Sequence, residues 1–317
     1  MPPSTRKFMG ATPYDAGVTF RVWAPFAAQV SVAGNFNGWS MTATPLYAED
    51  NGYWSADVAA AAVDNEYKFC IVDAAGSLLW RNDPYARSVI HSNDTLNSLI
   101  AATDDTCPAA GYSTPPWNEM VIYELHIGSF VFDPVSLRGR GSFTAAIGKL
   151  DYLHDLGINA IEVMALAEFD GDISWGYNPA YIFAIEDEYG GPNGFRNFVN
   201  EAHRRSIAVI LDVVYNHLGY PSDDMWQFDG WSQNGKGGIY FYNDWRSTTA
   251  WGETRFVYGR AEVRQYLRDN ALRWTDQRFA DGFNRCGWPL LRSFSRGRKV
   301  PRERDRRGFP NRGPIRH

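Results

Sequence analysis

Residues 207–217 read IAVILDVVYNH. An apolar run that closes on Asp212, Asn216 and His217 predicts a strand with polar groups at its carboxyl end, where parallel α/β folds build their sites. A lone Asp and His in such a place serve more often as a loop cap and a satisfied loop imidazole. The surroundings of the run decide between the two readings.

Upstream, MVIYELHIGSF (120–130) suits a strand buried on both faces, and INAIEVMAL (158–166) a second strand. Between them, SFTAAIGKLDYLHDLG carries Phe143, Ile147, Leu150, Leu153 and Leu156 at helical spacing, opened by an N-cap Ser142 and closed by Gly157. NGFRNFVNEAHRRS (193–206) predicts a helix with Phe195, Phe198, Val199 and Ala202 inward. RAEVRQYLRDNALRWTDQ (260–277) predicts another, before a fourth strand at FADGF (279–283). Strand alternating with helix predicts a parallel α/β fold.

The first hundred residues have a different rhythm. GVTFRVWAP places Val18, Phe20 and Val22 on one face, AQVSVAG does so with Val30 and Val32, and NEYKFCIVD with Tyr67, Phe69 and Ile71. NFNGW and EDNGYW supply Asn-Gly turn signals between such runs, which predicts a small antiparallel sandwich. TDDTCPAAGYSTPPW (103–117) loses the alternation and reads as a connector.

Composition bounds the function. The 317 residues are 44% hydrophobic and 15% aromatic, with 12 Trp and 17 Tyr, which suits a globular protein that stacks flat ligands. Three scattered cysteines (Cys70, Cys107, Cys286) suggest neither a disulfide framework nor a zinc cluster, and neither a signal peptide nor a membrane-spanning run is visible. The expectation is a soluble cytoplasmic protein. Net charge is −5, but residues 284–317 carry +9 and the rest −14. The acidic body argues against nucleic-acid binding. The basic ending mixes Arg, Pro and Gly without periodicity, as a disordered or frameshifted segment would.

Around the opening run, SWGYNPA (174–180) offers Trp175 and Tyr177, and the long loop from Leu218 to Tyr258 carries MWQFDGW, GIYFYNDW and AWG. Aromatic rings interleaved with Asp and Asn suit a polyhydroxylated ring, whose C–H faces stack while its hydroxyls take polar partners.

Residues 121–283, which contain these aromatic runs, resemble the first half of the (β/α)8 barrel of glycoside hydrolase family 13, the α-amylase family, with DVVYNH similar to its motif at the end of the third strand. Residues 12 to about 100 resemble a family 48 carbohydrate-binding module. The resemblance implies an immunoglobulin-like sandwich over 1–102, a linker over 103–117, half a TIM barrel over 118–283 and a tail over 284–317. It implies that Tyr177 stacks under the sugar at the cleavage subsite, Asp212 and His217 hold its hydroxyls, and Trp175 contributes a ring. Asn216 matches a position that ligates calcium in some amylases, although branching enzymes generally work without a metal.

The implied activity is that of a 1,4-α-glucan branching enzyme acting on glycogen, starch or malto-oligosaccharides. An α-amylase or malto-oligosyltrehalose trehalohydrolase fragment is the alternative, with a non-catalytic glucan binder using Trp39, Trp54 or Trp80 as another. An interaction protein that uses the basic ending on RNA or anionic partners is the third class.

Chemistry of this kind needs two carboxyl groups about 5 to 5.5 Å apart. In DGFNRCG, the family's paired Arg position holds Asn284 and its nucleophile position Cys286; sliding the match by one puts Gly287 there. Neither register supplies an acid. The sequence therefore predicts a chain without catalysis, whose half barrel, with an inner face rich in Val, Ile and Leu, self-associates.

Overall fold

Alternation in the first hundred residues folds as expected. The structure, a computed structural model, describes residues 2–92, 95–102, 112–132, 134, 140–169, 171, 173–219, 224–276 and 281–285, for 275, 276 and 282–285 the backbone only. Strands β1 (Gly10–Tyr14), β2 (Gly17–Trp23), β3 (Gln29–Gly34), β4 (Tyr47–Ala48), β5 (Tyr53–Val58), β6 (Glu66–Val72), β7 (Leu78–Arg81), β8 (Ser88–Ser92) and β9 (Thr95–Leu99) form two sheets. One runs β1-β2-β5-β4; the other runs β3-β6-β9-β8, with β7 beside β6. Val18, Phe20, Val32, Tyr67, Phe69 and Ile71 are all at most 1% exposed, so the period-2 rows face each other.

The two Asn-Gly signals act differently. Asn51 and Gly52 both take positive φ (63° and 78°) in the loop that turns β4 back into the antiparallel β5. A Cβ on Gly52 would also lie 2.5 Å from Pro25, so glycine is needed there twice over. Asn37-Gly38 closes a 3-10 turn instead. The Asn37 amide donates to Val32 O at 3.0 Å and accepts from the Gly34 N–H at 3.0 Å, so it caps the end of β3.

Beyond the connector come β10 (Ile122–Leu125), α1 (Ile127–Phe130), α2 (Phe143–Ile147), α3 (Leu150–Asp155), β11 (Ala160–Val163), β12 (Ala167–Phe169), β13 (Pro179–Ile185), α4 (Gly191–Arg204), β14 (Ala208–Val213), α5 (Ala261–Asp276) and β15 (Gly282–Arg285). The order β10-β11-β14-β15 is parallel throughout, the partial barrel sheet that the sequence implies. Its final strand continues through Asn284 and Arg285.

Alternation sends Leu125, Ile161, Val163, Val209 and Leu211 towards the helices, where they share a core with Phe143, Leu150, Phe195 and Phe198. Phe195, Phe198, Val199 and Ala202 are buried as expected, each large side chain contributing about 1.5–3 kcal/mol.

Four expectations need correction. β10 is not buried on both faces, since Ile122 is 41% exposed; among the described residues it sits at a sheet edge, with a neighbouring strand on one side only. The helix over 142–157 is two short pieces joined at Gly148 and Lys149, and Leu156 lies exposed beyond the second. Ser142 does cap the first piece, accepting the Ala145 N–H at 3.1 Å. An antiparallel pair, β12 with β13, is inserted before α4. Finally, the inner barrel face is not rich in Val, Ile and Leu: Ile122, Glu124, Ala160, Glu162, Ala208, Ile210 and Asp212 fall on it by alternation.

Candidate functional site

β14 delivers Asp212 to the carboxyl end of the parallel sheet, and the chain then turns through Asn216 and His217. The β12–β13 connection brings Tyr177 opposite. Gly176 makes that approach possible, because its φ is +85° and a Cβ would lie 1.9 Å from Ala165 O. Tyr177 Oη donates to Asp212 Oδ2 at 2.6 Å, and His217 Nε2 donates to Tyr177 O at 2.9 Å. Three of the residues singled out from sequence thus form one hydrogen-bonded chain.

Burial raises the Asp212 pKa, against the Tyr177 hydrogen bond that lowers it, and the charges of Glu162 and Glu124 push it further up. Among the described residues, Asp212 Oδ1 is buried without a hydrogen-bond partner. Burial also lowers the His217 pKa, against the hydrogen bond to Tyr177 O that raises it. The other ring nitrogen, His217 Nδ1, lies against Asn216 Oδ1.

Trp251 is the site residue that sequence reasoning did not single out. Its ring lies parallel to His217, with centroids 5.1 Å apart and planes 5° apart, while the residue is 61% exposed. AWG was visible in the long loop, but nothing local distinguishes this Trp from its neighbours. Trp175 stays outside the cluster: it is 70% exposed and makes no ring contact or hydrogen bond among the described residues.

The loop that carries Tyr177 is held from behind. His126, at the end of β10, bonds Ser174 O at 3.0 Å and the Tyr189 hydroxyl at 2.9 Å through Nε2. At the loop's base, two buried carboxyls act reciprocally: Glu168 accepts the Asp187 N–H at 3.0 Å, and Glu186 accepts the Phe169 N–H at 3.4 Å. Burial and their mutual charge raise Glu168 well above the carboxylate range, and burial raises Glu186 to about 7.

Register pairs Asp212 with Asn284 and Val213 with Arg285. Cys286 lies outside the described residues. No group of three or more His, Cys, Asp or Glu that could hold a metal gathers among the described residues. No step of the proposed chemistry runs through a metal.

A second cleft, of about 550 Å3, opens on the outer face of the sandwich. Trp39 and Trp80 form its walls with centroids 6.3 Å apart, and Lys68, Glu66, Asn35 and Asn97 line it. Trp39 holds φ at 59°, an uncommon conformation for a bulky residue. Trp54, the third tryptophan considered, is structural: its indole N–H donates to Ala24 O at 3.0 Å and its ring packs on the core.

Comparison with known proteins agrees with this layout. Residues 8–86 match the carbohydrate-binding module 48 (isoamylase N-terminal domain), and residues 131–278 match the alpha amylase catalytic domain. The malto-oligosyltrehalose trehalohydrolase of Saccharolobus solfataricus is 34% identical over 270 residues, covering 84% of this chain and 43% of the relative. The 1,4-alpha-glucan branching enzyme GlgB of Corynebacterium jeikeium is also 34% identical, over 284 residues, covering 87% of this chain and 38% of the relative. Among solved structures, a putative alpha amylase from Salmonella typhimurium superposes with a TM-score of 0.72 at 28% identity, covering 88% of this chain and 44% of that one. The chain thus spans less than half the length of these relatives.

Proposed function

Because the chain belongs to the α-amylase family, glycoside hydrolase family 13, and opens with a family 48 carbohydrate-binding module, we propose that it holds α-glucan in two places. One is the Trp39–Trp80 cleft, where indole faces take sugar C–H faces while Lys68 and Asn97 meet hydroxyls. The other is the end of β14. The observation that carries this reading is the buried Asp212 Oδ1, unpartnered among the described residues, beside the Tyr177 ring, an acceptor and a stacking face for one sugar. His217 adds a further polar edge.

The whole protein's activity is proposed as 1,4-α-glucan branching, cleavage of an α-1,4 link and transfer to a 6-hydroxyl through a retaining double displacement. A trehalohydrolase is the second reading, favoured by a relative of equal identity. The 317 residues themselves are proposed to bind without turnover, since Asn284 and Cys286 stand where an Arg and a carboxylate would be required. A cytoplasmic location and self-association through the β10 and β15 edges belong to the same proposal. Among the described residues no helix is long and apolar enough to cross a membrane.

The test is calorimetry of the chain with maltoheptaose, together with iodine staining, reducing-sugar and trehalose assays on amylose. Two binding events without product are expected. Trp80→Ala should remove one and Tyr177→Ala the other. Binding that survives both substitutions, or any product, would overturn the reading.

A further inference from the structure

Strand β7 carries two neighbouring residues with unlike duties. By alternation Trp80, paired with Cys70, faces outward into the sandwich cleft, whereas Arg81, paired with Phe69, faces the opposite way. There its guanidinium spans three backbone carbonyls of the long loop: Nε donates to Phe228 O at 3.0 Å, and Nη2 to Gln227 O at 3.2 Å and Trp226 O at 3.5 Å. One planar cation meets all three, Gln227 O also accepting the Gly230 N–H at 2.8 Å.

Other contacts seal the same seam. The Phe26 N–H donates to Asp229 Oδ2 at 2.9 Å, and the Phe26 ring stacks on Trp231 at 4.7 Å and 14°. Asn82 donates to Asp224 Oδ2 at 2.8 Å. From this seam the loop runs by its own hydrogen bonds to the site: Gln227 N–H to Gly237 O at 3.0 Å, Asn243 to Gly238 O at 2.8 Å, and Thr254 Oγ1 to Leu218 O at 2.6 Å, with Trp251 lying over His217.

We infer that Arg81 is a positioning residue for sugar binding at the β14 end: the sandwich domain fixes, through this side chain, the loop that sets Trp251 against His217. The module is then a structural part of the second site as well as a glucan binder. This rests on the two-site reading of the proposed function, and the test separates the two. Arg81→Ala is compared in two backgrounds of the full chain: Trp80→Ala, which leaves the β14 site, and Tyr177→Ala, which leaves the cleft.

Maltoheptaose affinity should fall roughly tenfold or more in the first background, given the strength of charge-assisted hydrogen bonds, and stay unchanged in the second. Arg81→Lys should recover part of the loss. Amide exchange over 225–231 should rise in Arg81→Ala and not in Trp80→Ala. Equal weakening in both backgrounds, or unchanged exchange over 225–231, would overturn the inference. If Trp80→Ala alone binds no maltoheptaose, the two-site reading fails instead, and the exchange measurement still decides the role of Arg81.

Discussion

In the sandwich, the apolar rows of two sheets face each other and the polar rows face water, with the Trp39–Trp80 cleft on one of those outer faces. In the parallel sheet the apolar rows face helices α2 to α4, and the opposite face carries Glu124, Glu162 and Asp212. Both regions therefore keep stability on one face of a sheet and ligand chemistry on the other. They differ in what the chemical face costs. Trp80 is 37% exposed and keeps its contact with water, whereas Asp212 is 8% exposed and loses most of it, so the second site holds a carboxyl whose pKa is pushed up and an oxygen unpaired among the described residues. In the proposed function, a site built for a buried sugar is destabilised until the sugar arrives, and an open stacking platform is not.

The largest effect should come from the faces that build stability. Phe20→Ala in the sandwich and Phe198→Ala on α4 each remove a fully buried ring and should cost about 3–5 kcal/mol, read as a shift in denaturant midpoint. Trp23 packs edge-on against Tyr240 at 5.6 Å across the two regions, so both variants should lower one shared transition. Two separate transitions would break the comparison into independent parts.

Buried carboxyls come next. Glu186, pushed up to about 7 from an ordinary value of 4.5, binds a proton more tightly folded than unfolded. The native state is therefore penalised increasingly as pH rises from about 4.5 to 7, and fully above that. Glu186→Gln should raise stability by about 1–3 kcal/mol at pH 8 and leave it unchanged at pH 4, as melting at the two pH values would show. Glu49 of the sandwich has the opposite sign. Burial raises its pKa, but hydrogen bonds from Arg21 and Lys7 outweigh that and lower it to about 2. Its contribution is present above pH 4.5 and fades as pH falls towards 2, so Glu49→Gln should flatten the acid limb of the stability profile.

Smaller effects sharpen the contrast. Ser142→Ala should cost about 1 kcal/mol, since the Ala145 N–H would lose its cap. Glu124→Gln, on an exposed edge strand, should change stability by less than about 0.5 kcal/mol. It should nevertheless lower the Asp212 pKa by removing a nearby negative charge, a shift that carboxyl NMR titration can track.

Much of this was legible because period-2 and helical spacing report directly which residues face a core. Val18, Phe20 and Val22 declared the sandwich, and Phe195, Phe198, Val199 and Ala202 declared the packed face of α4. Edge position is not local information. MVIYELHIGSF is as apolar as a central strand, and only its place beside β11 alone exposes Ile122. The same limit governs the site. Asp212 and His217 stood out at the end of a predicted strand and the family resemblance gave them and Tyr177 their roles, whereas Trp251 and Trp175 look alike in sequence and are separated only by how a long loop folds back. Arg81 gave no signal at all, because its partners are backbone carbonyls that any residues would supply.

Asp281 accepts at one oxygen both the His203 Nε2–H at 2.9 Å and the Val209 N–H at 2.8 Å, while Tyr112 stacks on His203 with centroids 3.9 Å apart. Those groups enter the chain more than seventy residues before their acceptor does. At about 5–20 residues per second of synthesis, the end of α4 and the start of β14 wait on the order of 4–15 s on the ribosome before Asp281 can join them. During that interval the residues of the sandwich, which end near Leu99, have all been made.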